Sequence, residues 1–304
     1  MSAPTLTTLD LSVVVPVHNN AGTLSELLDR LVHVLDGLAL GWEIVAVDDR
    51  SIDASGALLR QRAAADPRIR CVSLRRNAGG QAATCAGFEV ARGQRIVTLD
   101  ADLENLPEDI PTLLAALDGG ADLVMGWRDA RTDSFLGRRL PSILLNAWIR
   151  RRVATQLHDI GCGMRALNAS LVHNLVAAGE WRRGLGPLLI QRARRPTEVP
   201  IGYQRAPQPS QYSFLSLAAI AVDFYLVSAR RPFSISALVS LAAIALGAML
   251  LLWGIGRALP LSLSGAILMT TGLLGVGVSA LGEYVQRSYQ LVQRTPFYEL
   301  RTDT

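Results

Sequence analysis

The 304-residue chain has only three cysteines, no lysine and few charges. Cys71, Cys85 and Cys162 are widely spaced and form no Cys-x-x-Cys pair, which argues against a disulfide framework and a zinc site. All 30 basic residues are arginine, so the net charge of +4 is weak support for nucleic-acid binding. A composition of 18% charged and 50% hydrophobic residues excludes a disordered protein. The chain also lacks Gly-x-Gly-x-x-Gly, which counts against nicotinamide and flavin enzymes, and it has no Gly-Lys-Ser/Thr phosphate-binding loop.

Charge is missing altogether from two long stretches near the C-terminus. No charged residue lies between Arg231 and Arg257, or between Arg257 and Glu283. Each stretch exceeds the roughly 20 apolar residues that a membrane-spanning helix needs, so we predict two spans joined by a short connection. The flanks carry more arginine than the connection, which by the positive-inside rule places both flanks in the cytoplasm. The alternative is a pair of buried core helices.

Residues 11–125 alternate between strand-like and helical patterns. Strands are predicted at 11–17, 43–47, 69–74, 95–99 and 122–125, and helices at 23–36, 53–65, 80–91 and 107–117. Thr23 with Glu26 has the spacing of a capping box, and Asp53 is expected to cap the second helix. The alternation predicts a doubly wound α/β domain with a mainly parallel sheet.

Polar residues follow the first three predicted strands. His18-Asn19 follows the first strand, Asp48-Asp49 the second and Asn77 the third. Because ligands of open α/β sheets bind at the carboxyl ends of the strands, we expect these residues at one site. An acid after the second strand can accept hydrogen bonds from a ribose or a base, and the alternative for Asp48-Asp49 is helix capping.

The fourth predicted strand is followed by a cluster of carboxylates. Asp100, Asp102 and Glu104 lie on one short loop. Carboxylate oxygens favour hard cations such as Mg²⁺ or Mn²⁺, which usually bridge substrate phosphates. The loop therefore predicts a metal site, with a helix N-cap cluster before Pro107 as the alternative.

Several motifs carry a resemblance that runs from about residue 11 to 298. They are Pro16-Val17-His18-Asn19, Asp48-Asp49, Asn77-x-Gly79, Asp100-Ala101-Asp102-Leu103 and Gly126-Trp127-Arg128. In this order they resemble the motifs of family 2 inverting glycosyltransferases with the A-type, Rossmann-like fold. More narrowly, Asp159-x-Gly161-Cys162-x-Met164-Arg165, Arg205 and the C-terminal tail resemble the polyisoprenyl-phosphate glycosyltransferase branch, which includes bacterial undecaprenyl-phosphate glucosyl- and formamido-arabinose transferases.

The resemblance implies roles for individual residues. The nucleotide-sugar donor would be held by Pro16, Val17, Asn19, Asp48, Asp49, Asn77 and Asp100. Asp100 and Asp102 would bind the diphosphate through Mg²⁺ or Mn²⁺, with Glu104 as a third ligand. Arg128 and Arg138 match basic positions near the donor diphosphate or acceptor phosphate, and Arg205 lies in a segment expected to close over the site. With Asp102, these three arginines are the expected catalytic residues.

Four positions depart from the family pattern. Asn20 stands where Glu is common, Arg50 where Gly is usual, Glu104 where Gln is common and Gln211 where Lys is often found. Glu104 keeps an oxygen ligand, so metal binding is expected to survive. Gln211 removes a phosphate contact.

The expected organisation is a cytoplasmic catalytic domain at 1–210, an amphipathic juxtamembrane helix at 211–231, two transmembrane helices at 232–285 and a cytoplasmic tail at 286–304. The resemblance implies metal-dependent, inverting transfer of a sugar from a UDP-sugar to undecaprenyl phosphate at the inner membrane. A lipid phosphate is already a nucleophile at neutral pH, so the four histidines are expected to be structural or surface residues.

The expected partners and the alternative functions follow from the same motifs and predicted spans. The expected partners are a nucleotide-sugar donor, a polyprenyl-phosphate lipid and the membrane, with no nucleic acid. Small residues in the predicted spans are compatible with homo-oligomers. The alternatives are a catalytically inactive nucleotide-sugar-binding membrane scaffold and another family 2 enzyme with a different acceptor.

Overall fold

A computed structural model describes residues 9–128, 157–178, 185–204 and 298–301, with scattered residues between 267 and 288. The chain divides into two compact units. One consists of Met1–Ala221 with Phe297–Thr304, and the other consists of Val222–Pro296. All strands and helices named below belong to the first unit.

Seven strands form one mixed sheet in the described part of the chain. They are β1 (Leu9–Val17), β2 (Trp42–Asp48), β3 (Ile69–Ser73), β4 (Gly93–Thr98), β5 (Leu123–Trp127), β6 (Arg165–Asn168) and β7 (Pro196–Pro200). Their order is β3-β2-β1-β4-β6-β5-β7, and every pairing is parallel except those of β6 with β4 and β5. The predicted α/β class and mainly parallel sheet are confirmed, and β1 to β5 lie where the sequence predicts strands. Strands β6 and β7 were not predicted.

Helices cover both faces of the sheet. They are α1 (Ala21–Asp36), α2 (Ser55–Ala65), α3 (Gly80–Val90), α4 (Ile110–Asp118), α5 (Ala169–Ala178) and α6 (Leu185–Arg192), with a 3₁₀ turn at Pro107–Asp109 before α4. The buried leucines of α1 and α4 belong to one hydrophobic core together with Val13 and Val15 of β1. On the opposite face, Gly87 of α3 lies directly against Val14, where a larger residue would collide. Strand β1 is therefore buried on both sides, as its continuous apolar run requires.

The capping prediction at Thr23 is wrong. Helix α1 begins at Ala21, after Asn20, and the Thr23 hydroxyl instead donates to the carbonyl oxygen of Ala101 at 2.7 Å. The prediction at Asp53 is closer to the structure. Its carboxylate accepts the N–H of Ser55, the first residue of α2, at 2.9 Å, although Asp53 precedes the N-cap position by one residue.

Within the ranges that the structure describes, no helix is long and apolar enough to cross a membrane. The predicted juxtamembrane helix at 211–231 lies outside the described residues, and so do most of the predicted spans at 232–285.

Glu43 ties four strands together at the amino end of the sheet. Its side chain is 1% exposed. It accepts hydrogen bonds from Ser12 of β1 at 2.7 Å and from Arg70 of β3 at 3.0 Å. Arg92, next to the start of β4, donates its backbone N–H at 2.8 Å and two guanidinium N–H groups at 2.9 and 2.7 Å. Burial alone would raise the pKa of Glu43, but the hydrogen bonds from Arg92, Ser12 and Arg70 lower it overall.

Glu43→Gln should lower the free energy of unfolding at pH 7 by about 1–3 kcal/mol, because an amide loses charge-assisted hydrogen bonds in a buried position. Since the folded-state pKa is depressed, the carboxylate contributes fully above its ordinary value of 4.5 and loses that contribution as the pH falls through the folded-state pKa. Denaturant unfolding at pH 7 and in acid measures both effects.

The matched control is Glu26→Gln, which alters a glutamate that is 64% exposed and pairs with Arg30 on the surface. It should change stability by less than about 0.5 kcal/mol. If Glu43→Gln lowered the free energy of unfolding as much in acid as at pH 7, that result would contradict this account.

Candidate active site

The loop after β1 is fastened to the loop after β2. Asn19 has a positive φ of 56°, a conformation that asparagine adopts more readily than most residues. Its backbone N–H donates to Ser51 Oγ at 3.1 Å, and its side-chain oxygen accepts the N–H of Ile52 at 2.9 Å. Asn20 N–H donates to Ser55 Oγ at 2.9 Å. Asn19, which the sequence assigns to donor binding, thus also holds two loops in register.

His18 joins three loops at the centre of this edge. Its Nδ1 lies 2.8 Å from the carbonyl oxygen of Asp49, which can only accept, so Nδ1 carries the proton. Nε2 then accepts from the side-chain amides of Asn19 and Asn77, each at 3.1 Å. His18 is a positioning residue, in line with the structural role expected from the sequence.

Asp49 holds the loop between β3 and α3. Its two carboxylate oxygens accept the N–H groups of Ala78 and Gly79, each at 2.7 Å, and the residue is 1% exposed. Gly79 has φ 90°, which glycine adopts without strain. Asn77 accepts the same Gly79 N–H at 3.1 Å and is exposed beside His18. Asp49 thus supports Asn77, and its own contact with a nucleotide stays a prediction.

The remaining residues assigned to the base and ribose lie at the carboxyl ends of β1 and β2. Val17 is fully buried and its carbonyl oxygen accepts the N–H of Asp49 at 2.8 Å, so its contact with a nucleotide stays a prediction, whereas Pro16 is partly exposed. The carboxylate of Asp48 accepts the N–H of Ser51 at 2.9 Å. A side-chain carbon on Gly56 would lie 2.8 Å from Asp48 Oδ2, so this carboxylate packs against the start of α2.

The carboxylate of Asp100 accepts no hydrogen bond from any of the described residues. Desolvation and then the charge of Asp102 raise its pKa, against the opposing charges of Arg165 and Arg128. The carboxylate occupies the space left by the missing side chain of Gly163, where a Cβ atom would overlap Oδ2. Asp100 is partly exposed, and the guanidinium groups of Arg165 and Arg128 compensate its charge in part; a cation would compensate it further.

Asp102 and Glu104 continue the same loop. Leu103 between them has φ 60°, a strained conformation of the kind that clusters at functional sites. Asp102 Oδ1 accepts the N–H of Glu104 at 3.0 Å, and both side chains are partly exposed. Glu104 Oε2 lies 3.6 Å from Nη1 of Arg128. The carboxylate of Glu104 is thus directed at a guanidinium, and its role as a third metal ligand stays a prediction.

Arg128 is a fixed positive charge beside these carboxylates. Its side chain is 8% exposed, and Nε and Nη2 donate to the two carboxylate oxygens of Asp159 at 2.7 and 3.1 Å. Burial alone would lower the pKa of Arg128, but the hydrogen bonds and charge of Asp159 raise it overall. The guanidinium carbon also lies 5.9 Å from the ring centre of Tyr203, within cation–π range.

Two charged residues of the site had no assigned role in the sequence analysis. Asp159 orients Arg128, and Arg165 extends from β6 toward Asp100, with Nε donating to the carbonyl oxygen of Cys162 at 2.9 Å. Burial lowers the pKa of Arg165, and the charges of Asp100 and Asp159 oppose that effect. Both residues belong to the Asp159–Arg165 motif, so this motif is the sequence signal that could have identified them as site residues.

The donor set fits a hard divalent cation of the Mg²⁺ or Mn²⁺ kind. Two carboxylates, those of Asp100 and Asp102, lie on one loop, and one of them has no protein partner in the described ranges. Such ions commonly take one or two carboxylates and complete their coordination with water and substrate phosphates. Among the residues described, no three His, Cys, Asp or Glu side chains converge on a single point. Arg138 and Arg205 lie outside the described residues.

Known proteins resemble this chain in sequence. The model of glycosyl transferase family 2 matches residues 12–176, more than half of the chain. The chain is 36% identical over 298 residues to the undecaprenyl-phosphate 4-deoxy-4-formamido-L-arabinose transferase of Pseudomonas fluorescens, covering 94% of this chain and 87% of that protein. It is 35% identical over 306 residues to the protein of the same name from Edwardsiella ictaluri, covering 95% and 92%.

Solved structures share the fold at lower identity. The mannosyl-3-phosphoglycerate synthase of Rubrobacter xylanophilus has a TM-score of 0.55 and 17% identity, covering 73% of this chain and 74% of that one. The glucosyl-3-phosphoglycerate synthase of Mycobacterium tuberculosis, crystallised with Mn²⁺, UDP-glucose and phosphoglyceric acid, has a TM-score of 0.51 and 19% identity, covering 72% and 80%. At these identities the likeness concerns the fold alone.

The mixed sheet, with its acidic loop after β4, is that of a glycosyltransferase with the A-type fold. The chain belongs to glycosyl transferase family 2. The resemblance seen in the sequence motifs is thereby confirmed, as are the enzyme class and the fold of the catalytic part.

If Asp100 binds the metal as the sequence predicts, Gly163→Ala should weaken binding of UDP in the presence of Mn²⁺ by about tenfold, because the overlapping methyl group displaces the Asp100 carboxylate and the loss of a charge-assisted contact costs about 1–3 kcal/mol. Titration calorimetry measures this affinity. The matched control is Gly161→Ala, whose added carbon would lie 3.8 Å from Asp159 Oδ1 in ordinary contact. Equal affinities in the two variants would contradict the assigned position of Asp100.

Proposed function

We propose that this protein transfers a sugar, with inversion at the anomeric carbon, from a UDP-sugar to undecaprenyl phosphate in a reaction that requires Mg²⁺ or Mn²⁺. The observation that carries the proposal is the carboxylate of Asp100, which accepts no hydrogen bond from the described residues and lies next to Asp102 and the buried Arg128 at the carboxyl edge of the sheet. Relatives that share most of the chain are named for transfer to undecaprenyl phosphate. An enzyme of similar fold was crystallised with Mn²⁺ and UDP-glucose.

The charge balance of the site supports a metal. The described site contains the carboxylates of Asp100, Asp102, Glu104 and Asp159 and the guanidinium groups of Arg128 and Arg165. When all six are ionised, these residues carry two excess negative charges, which would repel a nucleotide diphosphate. A bound divalent cation would offset that excess and stabilise the departing diphosphate as a Lewis acid.

The acceptor needs little activation. A phosphate monoester has its second pKa near ~6, so the lipid phosphate is largely a dianion at neutral pH. Its oxygen bonds to the anomeric carbon while the bond to the donor diphosphate breaks, and no proton has to move. The task of the protein is to bring two anions together, which fixed positive charge favours. Asp159 holds Arg128 in place for this role by a two-point contact.

The C-terminal segment supports the proposed membrane arrangement. Residues 298–301 pair with the end of β3, so the chain returns to the catalytic unit after the predicted spans. An even number of crossings is required for both flanks to lie on one side, and two spans at 232–285 satisfy that requirement. The proposal therefore includes an inner-membrane protein whose catalytic domain and termini are cytoplasmic, with the domain limits predicted from the sequence.

The direct test is to incubate membranes containing the protein with undecaprenyl phosphate and a panel of nucleotide sugars, and to identify the lipid product by mass. One UDP-sugar should yield undecaprenyl phosphate enlarged by a single sugar, and a chelator should abolish the reaction. Absence of product with every donor, or a product on an acceptor without phosphate, would contradict the proposal.

Asp102→Asn should reduce transfer by at least about 100-fold while leaving membrane insertion intact, because the amide removes a negative metal ligand from a precisely positioned site. The same lipid assay measures it. Asp118→Asn, which removes a surface carboxylate paired with Arg95, should retain wild-type transfer. Normal activity in Asp102→Asn would exclude the proposed metal role.

A further inference from the structure

The C-terminal segment Tyr298–Arg301 pairs with the carboxyl end of the β3 edge. Arg75 N–H donates to the carbonyl oxygen of Glu299, and Arg301 N–H donates to the carbonyl oxygen of Ser73, both at 2.8 Å. Between them Leu74 forms an antiparallel bridge with Leu300. These contacts lie at the carboxyl end of β3, where the chain enters the loop that carries Asn77.

The same segment also contacts the helix that follows this loop. The Tyr298 phenol is partly buried next to α3, where desolvation and then the neighbouring Glu89 raise its pKa. Helix α3 begins at Gly80, directly after the loop. The segment therefore contacts residues 73–75, where the loop begins, and Cys85 and Glu89 in the C-terminal half of α3. We call residues 75–79 the donor loop.

The donor loop is tied to the rest of the site by a short chain of hydrogen bonds. Asp49 accepts the N–H groups of Ala78 and Gly79, and the Asn77 amide donates to His18 Nε2. His18 in turn accepts from the amide of Asn19. A shift in the donor loop would therefore alter the positions of side chains after β1 and β2 as well.

We propose that the C-terminal segment Tyr298–Arg301 is a positioning element that holds the donor loop in the conformation that binds the nucleotide. The inference rests on the proposed function, because it takes the nucleotide to lie at this edge of the sheet. The exposed β3 edge would otherwise leave backbone groups to water at the point where the donor loop starts. The tail beyond the predicted spans thus has a role in the donor site.

The test compares Arg301→Pro with Arg301→Ala in the full-length protein. Both variants lose the arginine side chain, but only proline removes the N–H that donates to Ser73. Arg301→Pro should raise the dissociation constant for UDP with Mn²⁺ by roughly 3- to 10-fold, the effect of one lost hydrogen bond. Arg301→Ala should bind UDP as the unaltered protein does. Equal dissociation constants in the two variants would overturn the proposal.

A second measurement separates this inference from the proposed function. Hydrogen exchange of the amides of residues 75–79, without any nucleotide, should be faster in Arg301→Pro than in Arg301→Ala, and unchanged exchange would overturn the proposal. Failure of the unaltered protein to bind UDP would contradict the proposed function instead. Deletion of residues 298–304 provides a second variant, which should show the same faster exchange and weaker UDP binding.

Discussion

The carboxyl edge of the sheet carries an excess of negative charge where a carboxylate is poorly solvated. Asp100 has no hydrogen-bond partner among the described residues, Asp102 raises its pKa further, and the nearest guanidinium groups are those of Arg128 and Arg165. Arg128 is already paired with Asp159. In the proposed reaction, most other features of the site would hold these charges in place for a cation and a diphosphate.

Hydrogen bonds between protein groups fix the geometry around that charge. Asp49 and His18 use their polar atoms to fasten the loops after β1, β2 and β3 to one another. Gly163 leaves the room that the Asp100 carboxylate fills. At the opposite end of the sheet, Glu43 links four strands through Ser12, Arg70 and Arg92. Under the proposed function, loops secured in this way would lower the entropic cost of binding the donor.

The first five strands could be predicted because each is an apolar run that ends in polar residues. The rule that ligands bind at the carboxyl ends of parallel strands then placed His18, Asp49, Asn77 and Asp100 at one edge. The residue motifs also identified the family correctly. These signals are local, because the period of apolar residues and the spacing of motif residues are properties of short stretches of chain.

What the sequence did not reveal depends on contacts between distant residues. Strand β6 is four residues long and lies antiparallel between β4 and β5, an arrangement that no local pattern encodes. The Arg128–Asp159 pair is separated by 31 residues and needs that strand nearby. Thr23 has the spacing of a capping box with Glu26, but its hydroxyl donates to the carbonyl oxygen of Ala101, 78 residues away. The supporting role of Asp49 was hidden for the same reason, because its partners are backbone groups of another loop.

The most direct test of the central claim is a crystal structure with UDP and Mn²⁺, with data collected for anomalous scattering from manganese. The account predicts one anomalous peak within coordination distance of the carboxylates of Asp100 and Asp102 and of the UDP diphosphate. A peak elsewhere, or UDP bound at this edge with Asp100 still unpaired and no metal beside it, would contradict the account.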